Sequence, residues 1–173
     1  MARPARRLTA TADALMRPGE HIETRRLGLT LATPADIEAM PWLEAALAQD
    51  WRVGDLLPHA EAARALLISK DERPIGVTVG TATHAAALIP FIAIEPSERY
   101  RGLGGEAALA VETLLRVRGA ELVLAPVPEQ RGLAVYFWLR LGFRPLLQVE
   151  APSEPVGLDG KLLRGIWMAR GGP

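Results

Sequence analysis

Cysteine and asparagine are absent from this 173-residue chain, and only two of its 20 basic residues are lysines. Without cysteine, disulfides, thiolate metal ligands and a cysteine nucleophile are excluded. The three histidines, His21, His59 and His84, are far apart and lack the spacing of metal ligands, so we predict no metal site. The absence of asparagine is typical of a thermophilic protein, and depletion of asparagine and lysine is equally expected from a GC-rich genome, so both sources remain open.

A surplus of charge of either sign is also lacking, since 20 acidic residues balance the 20 basic ones. No overall field therefore attracts nucleic acid or an anionic membrane surface, and no apolar run approaches the ~20 residues that span a bilayer. Residues 1–19 carry arginines but no continuous apolar segment, which is unlike a signal peptide. We interpret residues 1–19 as a partly disordered N-terminal arm and residues 20–173 as the single domain of a cytoplasmic protein.

Hydrophobic residues make up 49% of the chain, which is enough for a sizeable core, and their spacing predicts both strands and helices. The predicted elements are, in chain order, strand 27–32, helix 33–49 with a disturbance at Pro41, a loop over 51–58, helix 59–65, strands 66–70, 75–83 and 87–94, helix 104–118, strand 122–125, helix 131–141, and strands 144–149 and 162–169. This order predicts an α/β protein with a mixed, predominantly antiparallel sheet and helices on both faces. On helix 104–118 the pattern predicts a buried Val117 and a solvent-facing Glu112, paired with Arg116.

The most informative segment is 94–107, where an apolar strand runs through Pro96 into a basic, glycine-rich loop and then into a helix. Backbone N–H groups converge at a helix N-terminus and the helix dipole makes that point positive, so this order builds an anion site. Glycine allows an anion to approach the backbone closely, and Arg99 and Arg101 add charges suited to phosphate. The alternative is a solvated glycine-rich turn with incidental arginines.

This segment and its surroundings resemble the GNAT superfamily of acyl-CoA-dependent N-acetyltransferases. The family's coenzyme A signature, Gln/Arg-x-x-Gly-x-Gly/Ala after a strand, is met by Arg99-Tyr100-Arg101-Gly102-Leu103-Gly104, and Leu141-Gly142-Phe143-Arg144 is similar to the end of the family's last helix. Three further segments look like the Rim-type branch of ribosomal-protein N-terminal acetyltransferases: Glu106-Ala107, Glu23-Thr24-Arg25-Arg26-Leu27 and Leu158-Asp159-Gly160-Lys161. The resemblance extends over residues 22–170.

The resemblance implies a GNAT fold, with a V-shaped cleft between the strands that end at Ile94 and Ala125. It also implies an enzyme that transfers an acetyl group from acetyl-CoA, its cosubstrate, to a primary amine by direct attack in a ternary complex. The pantetheine arm would lie along the backbone of residues 91–94, and the pyrophosphate on the N–H groups of residues 101–105. The implied coenzyme-binding residues are Ile92, Ile94, Arg99, Arg101, Gly102, Leu103, Gly104, Gly105 and Arg131. Tyr100 and Arg131 depart from the glycine and asparagine usual in the family.

The resemblance leaves the catalytic residues unassigned. Many family members use a tyrosine of the last helix as the acid that protonates the leaving thiolate, but Trp138 occupies that position here, and an indole N–H is not a useful acid. Tyr136 is the nearby candidate, although two residues along a helix turn it about 200° away. The candidate bases are Glu95, Asp50 and Asp55. Each of them is more often a surface carboxylate. A backbone N–H near Ile94 would polarise the thioester carbonyl.

Two other functions stay open at this point. Gly102-x-Gly104-x-x-Ala107 fits the dinucleotide-binding fingerprint of oxidoreductases, but the polar segment 96–101 separates it from its strand and no acid ends the next strand, which disfavours that function. A non-catalytic acyl-CoA-binding sensor or regulatory module on the same fold is the main alternative. The sequence leaves open whether the acceptor amine belongs to a small molecule or a peptide N-terminus, whether Trp51 faces the acceptor groove, and whether the protein is a homodimer.

Overall fold

The computed structural model describes residues 14–47, 51–82, 86–128, 131–146 and 165–171. The strands in these residues are β1 (His21–Glu23), β2 (Gly28–Leu31), β3 (Ala65–Lys70), β4 (Arg73–Ala82), β5 (Ala86–Ile94), β6 (Leu122–Val127), β7 (Arg144–Pro145) and β8 (Ile166–Gly171). The helices are α1 (Pro34–Glu38), α2 (Leu43–Ala46), α3 (Val53–Glu61), α4 (Leu103–Val117) and α5 (Gly132–Arg140), and a short 3-10 helix covers Pro96–Glu98. The strands form one sheet in the order β1-β2-β3-β4-β5-β6-β8-β7.

The sheet is mixed and has a core on each face, which confirms the predicted fold class. Among the described strands, β5 and β6 pair in parallel and all other neighbours are antiparallel. The core on the α4 and α5 side includes Leu29, Ile68, Val111 and Phe143. The core on the side of α1, α2 and α3 includes Ile37, Leu56, Val77 and Trp167. Burial of apolar side chains on both faces holds the central strands in place.

The first half of the chain departs from the predicted elements at β1 and at the start of α3, while the disturbance predicted at Pro41 is confirmed. The three-residue strand β1, which pairs with β2, was not predicted. The predicted helix 33–49 is interrupted between α1 and α2 around Pro41, because proline lacks the N–H that would continue the helix. The predicted loop 51–58 contains the start of α3. There the Asp55 carboxylate accepts a hydrogen bond from the backbone N–H of Arg52 at 2.7 Å, a cap that starts the helix despite Pro58 within it.

The end of the predicted arm belongs to the folded domain. Leu15 and Met16 are 2% and 1% exposed and lie in the same core as α4. The backbone N–H of Leu15 donates to the carbonyl of Ala63 at 2.8 Å, which fixes this segment beside the end of α3. The domain therefore begins before residue 20. Residues 1–13, and parts of the last two predicted strands, 147–149 and 162–164, lie outside the described residues.

Helix α4 corrects two predictions about side-chain direction. Glu112, expected on the solvent side, is only 5% exposed, whereas Val117, expected in the core, is 78% exposed. The buried carboxylate of Glu112 is paired on both oxygens, with Arg116 Nε at 2.9 Å and with Arg170 Nη1 at 2.9 Å. The pair between Glu112 and Arg116 is confirmed, while β8 brings in the second arginine. Because a buried charge requires partners, this three-residue cluster ties α4 to β8.

A bulge in β5 opens the sheet at its centre. The step from Val79 to Thr81 on β4 lies opposite the step from Leu88 to Phe91 on β5, so β5 carries one extra residue there. The extra residue falls at or next to Pro90, whose missing N–H cannot join a regular ladder. Only the first three residues of β5 pair with β6. Beyond the bulge the two strands diverge, and a cavity lies in the space between them.

Candidate active site

A cavity of about 990 Å³ opens between the diverging strands. Its walls are β5 after Leu88, the loop that follows β5, the first turn of α4, the end of β6 and one side of α5. The structure brings together seven of the nine predicted coenzyme-binding residues on these walls: Ile92, Ile94, Arg99, Gly102, Gly104, Gly105 and Arg131. The other two, Arg101 and Leu103, belong to the same loop but do not line the cavity. This cavity is called the cleft below.

The main chain of β5 presents hydrogen-bonding groups to the cleft. The backbone N–H of Glu95 donates to the carbonyl of Ile75 at 2.7 Å, which sets the phase of the antiparallel ladder between β4 and β5. In such a ladder alternate residues face the partner strand, so the N–H and C=O groups of Ile92 and Ile94 face away from β4. The Ile94 carbonyl accepts a hydrogen bond from Arg99 Nε at 2.9 Å. The Ile94 N–H is directed into the cleft, where the predicted reaction requires a hydrogen-bond donor to the thioester carbonyl.

The loop after β5 places the N-terminus of α4 at the cleft. Tyr100 and Gly102 both have positive φ, 64° and 77°, and this double turn reverses the chain directly before Leu103. Glu106 N–H donates to Gly102 C=O at 3.1 Å, so the N–H groups of residues 103–105 have no acceptor within the helix. These free donors and the positive end of the helix dipole are the features that the predicted anion site requires.

The charged side chains of this loop have different roles. Arg99 lines the cleft, whereas Arg101 does not line it and pairs with Glu98 at 3.3 Å. Glu98 also accepts from Lys70 at 3.2 Å and from Arg73 at 3.0 Å, and the hydrogen bond from Lys70 leads the contacts that hold the pKa of Glu98 below its ordinary value. Leu103 is 2% exposed in the core, so only its main chain is available to a ligand. The ionised carboxylate of Glu98 therefore ties the loop to Lys70 and Arg73, at the turn between β3 and β4.

Glu106, at the first turn of α4, is a cleft residue that the sequence reading did not assign. Its Oε1 accepts from Thr24 Oγ1 at 2.6 Å and from the Arg26 N–H at 2.8 Å, and its Oε2 accepts from Arg26 Nε at 2.7 Å. Desolvation by itself would raise the pKa of Glu106, but these hydrogen bonds lower it. Arg26 Nη1 also donates to the carbonyl of Arg101 at 2.9 Å. The turn between β1 and β2 thus forms hydrogen bonds with both the loop after β5 and the first turn of α4.

Comparison with solved structures decides the fold. The chain superimposes on an acetyl transferase of Salmonella typhimurium that modifies the N-terminal serine of ribosomal protein L7/L12, with a TM-score of 0.66 and 17% identity over 89% of this chain and 100% of that one. It matches Ard1 from Thermoplasma volcanium at a TM-score of 0.63 and 20% identity, covering 84% and 97% of the two chains. An Elizabethkingia anophelis GNAT acetyltransferase with acetyl-CoA bound matches at 0.62 and 16%, covering 86% and 99%.

This chain has the GNAT fold. The predicted resemblance is therefore confirmed for the fold, which is shared with an enzyme that acts on a ribosomal protein. No protein-family model and no curated protein matches the sequence significantly. Identities of this size establish a common GNAT architecture, and the chemistry of this chain has to be argued from its own residues.

The α5 wall lacks a buried tyrosine at the position where many GNAT enzymes keep their acid. Trp138 lies there, 5% exposed, with its ring edge-on to Phe143 at 4.7 Å between centroids. Tyr136 also lines the cleft but is 59% exposed, and the Arg140 guanidinium carbon lies 5.9 Å from its ring centre. Both side chains line the cleft, and they differ in that Trp138 is buried and Tyr136 is mostly exposed.

The cleft also has aromatic lining residues. Trp51 stacks on Phe91 with a centroid distance of 6.0 Å, and both rings line the cleft. Arg131 lies on the same side, where its Nη2 donates to the carbonyl of Leu47 at 3.1 Å and connects α5 with the end of α2. The predicted cation is therefore present in the cleft, while one of its N–H groups already has a protein acceptor.

The candidate bases are not brought together in the cleft. Glu95 pairs with Arg73 at 2.6 Å and does not line the cavity. Asp55 caps α3, and Asp50 lies outside the described residues.

The described residues contain no group of three or more histidine, aspartate or glutamate side chains arranged for a metal ion. None of the helices in the described part of the chain is long and apolar enough to cross a membrane.

Proposed function

We propose that this protein is a cytoplasmic N-acetyltransferase that uses acetyl-CoA as its cosubstrate and a primary amine as its acceptor. The proposal rests on one observation: the open edge of β5 at Ile92 and Ile94 and the open N-terminus of α4 meet in a single cleft. An extended arm that carries amides pairs naturally with a strand edge, and a diphosphate suits a helix N-terminus. Coenzyme A carries both groups in that order.

The glycines at the start of α4 fit such a ligand. An ideal Cβ at Gly104 would lie 3.5 Å from Phe137 Cε2 and 3.6 Å from Ile94 Cγ1, so a side chain there would fill space between β5 and α5. The cations Arg99, Arg131 and Arg140 line the cleft, and both carboxylates in its described walls, Glu98 and Glu106, are already paired with cations. The charge available to a ligand is therefore positive, as a phosphate-bearing cosubstrate requires.

In the proposed reaction both substrates are bound together. Acetyl-CoA supplies an acetyl group activated as a thioester; the neutral amine attacks its carbonyl carbon, the C–N bond forms, the C–S bond breaks and coenzyme A leaves as a thiolate. The Ile94 N–H is the proposed donor to the carbonyl oxygen. A thiol has an ordinary pKa of about 8.5, so its thiolate is a tolerable leaving group near neutral pH. Trp138 at the usual acid position is compatible with this chemistry.

The carboxylates that line the cleft bear on how the amine loses its proton. With Glu98 and Glu106 engaged by cations, no described carboxylate in the cleft is free to act as a base, and we infer that the amine loses its proton to solvent. A small-molecule amine and a peptide N-terminus both remain candidates. The shared fold with an enzyme that modifies an N-terminal serine makes a peptide N-terminus the first acceptor to test.

The second candidate function is a non-catalytic acyl-CoA-binding module. It is favoured by the burial of Trp138 where many GNAT enzymes keep their acid. This candidate and the enzyme make the same binding prediction and differ only in turnover.

Thermal-shift titration followed by a transfer assay tests the proposal. Coenzyme A and acetyl-CoA should stabilise the protein, by about 2.7 kcal/mol at 100 times the dissociation constant, and NAD should not. Thiol release from acetyl-CoA should then depend on an added amine, screened over N-terminal peptides, a polyamine and an aminoglycoside. Stabilisation by NAD with none by coenzyme A would refute the proposal. Binding without turnover over the whole panel would favour the non-catalytic module.

A further inference from the structure

Glu106 lies in an unfavourable place for a coenzyme that carries phosphates. Its side chain lines the cleft at the first turn of α4 and is 17% exposed. A free carboxylate there would compete with a phosphate for the same positive helix end and would repel it. In this fold that charge has to be held and compensated if the N-terminus of α4 is to receive an anion.

Arg26 provides the compensation. Its Nε lies 2.7 Å from Glu106 Oε2, its backbone N–H donates to Oε1, and Thr24 supplies a third hydrogen bond from the same turn. Both carboxylate oxygens are thereby directed at the β1–β2 turn. Because a guanidinium offers several donors in a fixed plane, the same side chain also reaches the Arg101 carbonyl through Nη1 at 2.9 Å.

The second contact of Arg26 acts on the shape of the loop. The Arg101 carbonyl comes directly before Gly102, the residue with φ of 77° that begins α4. An ideal Cβ on Gly102 would lie 3.4 Å from Arg26 Nη2, so the guanidinium is packed against this turn. Holding the Arg101 carbonyl outward leaves the N–H groups of the following residues available to the cleft.

We propose that Arg26 is a positioning residue for the phosphates of the cosubstrate: it neutralises Glu106 and fixes the Arg101 carbonyl, and thereby keeps the N-terminus of α4 electropositive. The inference rests on the proposed function. It gives a role to the Glu23–Leu27 segment, whose contact with the first turn of α4 bridges 80 residues of sequence.

Three substitutions separate charge compensation from simple support. Dissociation constants for coenzyme A and for pantetheine, which lacks phosphate, should be measured by calorimetry for Arg26→Gln, Glu106→Gln and the double variant. Arg26→Gln should weaken coenzyme A roughly tenfold or more, because it leaves a carboxylate beside the phosphates, and should leave pantetheine nearly unchanged. Adding Glu106→Gln should restore most of the affinity, since the repelling charge is then gone. Arg118→Gln is the matched control, because Arg118 pairs with Glu20 at 2.9 Å at the other end of α4.

The outcomes decide between the roles. Equal losses for coenzyme A and pantetheine, or a double variant weaker than Arg26→Gln alone, would overturn the proposal and leave Arg26 as structural support. If Arg26→Gln does not fold, Arg26→Lys replaces it: lysine keeps the charge beside Glu106 but loses the planar fork that also holds the Arg101 carbonyl. Coenzyme A should then weaken by less than about tenfold while pantetheine is nearly unchanged, and an equal loss for both ligands would overturn the proposal. A wild-type protein that binds no coenzyme A would instead refute the proposed function, which is a separate result.

Discussion

Replacing Gly104 with alanine should stabilise the free protein and at the same time weaken its cosubstrate binding. In the absence of ligand the new Cβ meets Phe137 and Ile94 at 3.5 and 3.6 Å, which are ordinary contact distances. Gly104 lies in the first turn of α4 without a positive φ. Alanine loses less backbone freedom on folding, so the free energy of unfolding should rise by about 0.5–1 kcal/mol.

The ligand effect should have the opposite sign. For a protein of this size about 1 kcal/mol changes Tm by roughly 2–4 °C, so Gly104→Ala should raise Tm by about 1–4 °C without ligand. Wild type with coenzyme A at 100 times its dissociation constant should gain about 2.7 kcal/mol, or about 5–10 °C. In Gly104→Ala much of that gain should disappear, because the methyl group stands where the phosphates approach the helix.

Gly132→Ala is the matched control. It also places alanine in the first turn of a helix, α5, with no atom within 4 Å of its Cβ, and Gly132 does not line the cleft. It should show the same small rise in Tm and keep the full shift with coenzyme A. The reasoning is refuted if Gly104→Ala retains the wild-type ligand shift, or if Gly104→Val, which adds two further methyl groups, still binds coenzyme A normally.

Two other substitutions test the core and the chemistry. Glu112→Ala leaves two arginines without their shared carboxylate and should lower the free energy of unfolding by about 2–3 kcal/mol in urea titrations. The loss should be smaller than for a fully buried pair because the Arg170 side chain is 40% exposed. A loss below about 1 kcal/mol would show that the cluster adds little. Tyr136→Phe should keep at least about a tenth of wild-type transfer activity, because general-acid catalysis requires a correctly placed donor and Tyr136 is mostly exposed. Transfer should be measured for wild type and Tyr136→Phe from about pH 6 to 9.5. A kcat of the variant about a hundredfold below that of wild type, with loss of the alkaline limb of the pH profile, would identify Tyr136 as the acid after all.

Local patterns carried most of the fold prediction. Strands β3, β4, β5 and β6 and helices α4 and α5 have strong hydrophobic periodicity, and the structure has their ends within one or two residues of the predicted ends. The glycine-rich loop could also be recognised, since glycine at Gly102 permits the left-handed turn that starts α4. Proline signals were harder to interpret. Pro41 interrupts a helix, Pro58 lies inside one and Pro90 accompanies a bulge, because the surrounding contacts decide what each proline does.

Contacts between distant segments could not be predicted from the sequence. Glu112 looked solvent-facing because charge is usually placed outside a helix, and its burial depends on Arg170, 58 residues away. Glu106 was noticed only as part of a motif, since its partners Thr24 and Arg26 reach it through the fold. The same limit applies to the cleft. The sequence predicted that its glycine-rich loop would line a site, and only the divergence of β5 from β6 shows which side chains share that space.

The bulge at Pro90 has a consequence for the protein when no cosubstrate is bound. A sheet that divides in its middle exposes an unpaired strand edge inside the molecule, and such an edge can accept any extended chain, including one from a second molecule. Surface edges are normally protected by charged side chains or a covering helix, but this edge has to stay accessible. Proline at the start of the open stretch removes one donor. In the proposed function the pantetheine arm would serve as the missing strand, so added coenzyme A should lower any self-association of the protein, which sedimentation with and without the ligand would measure.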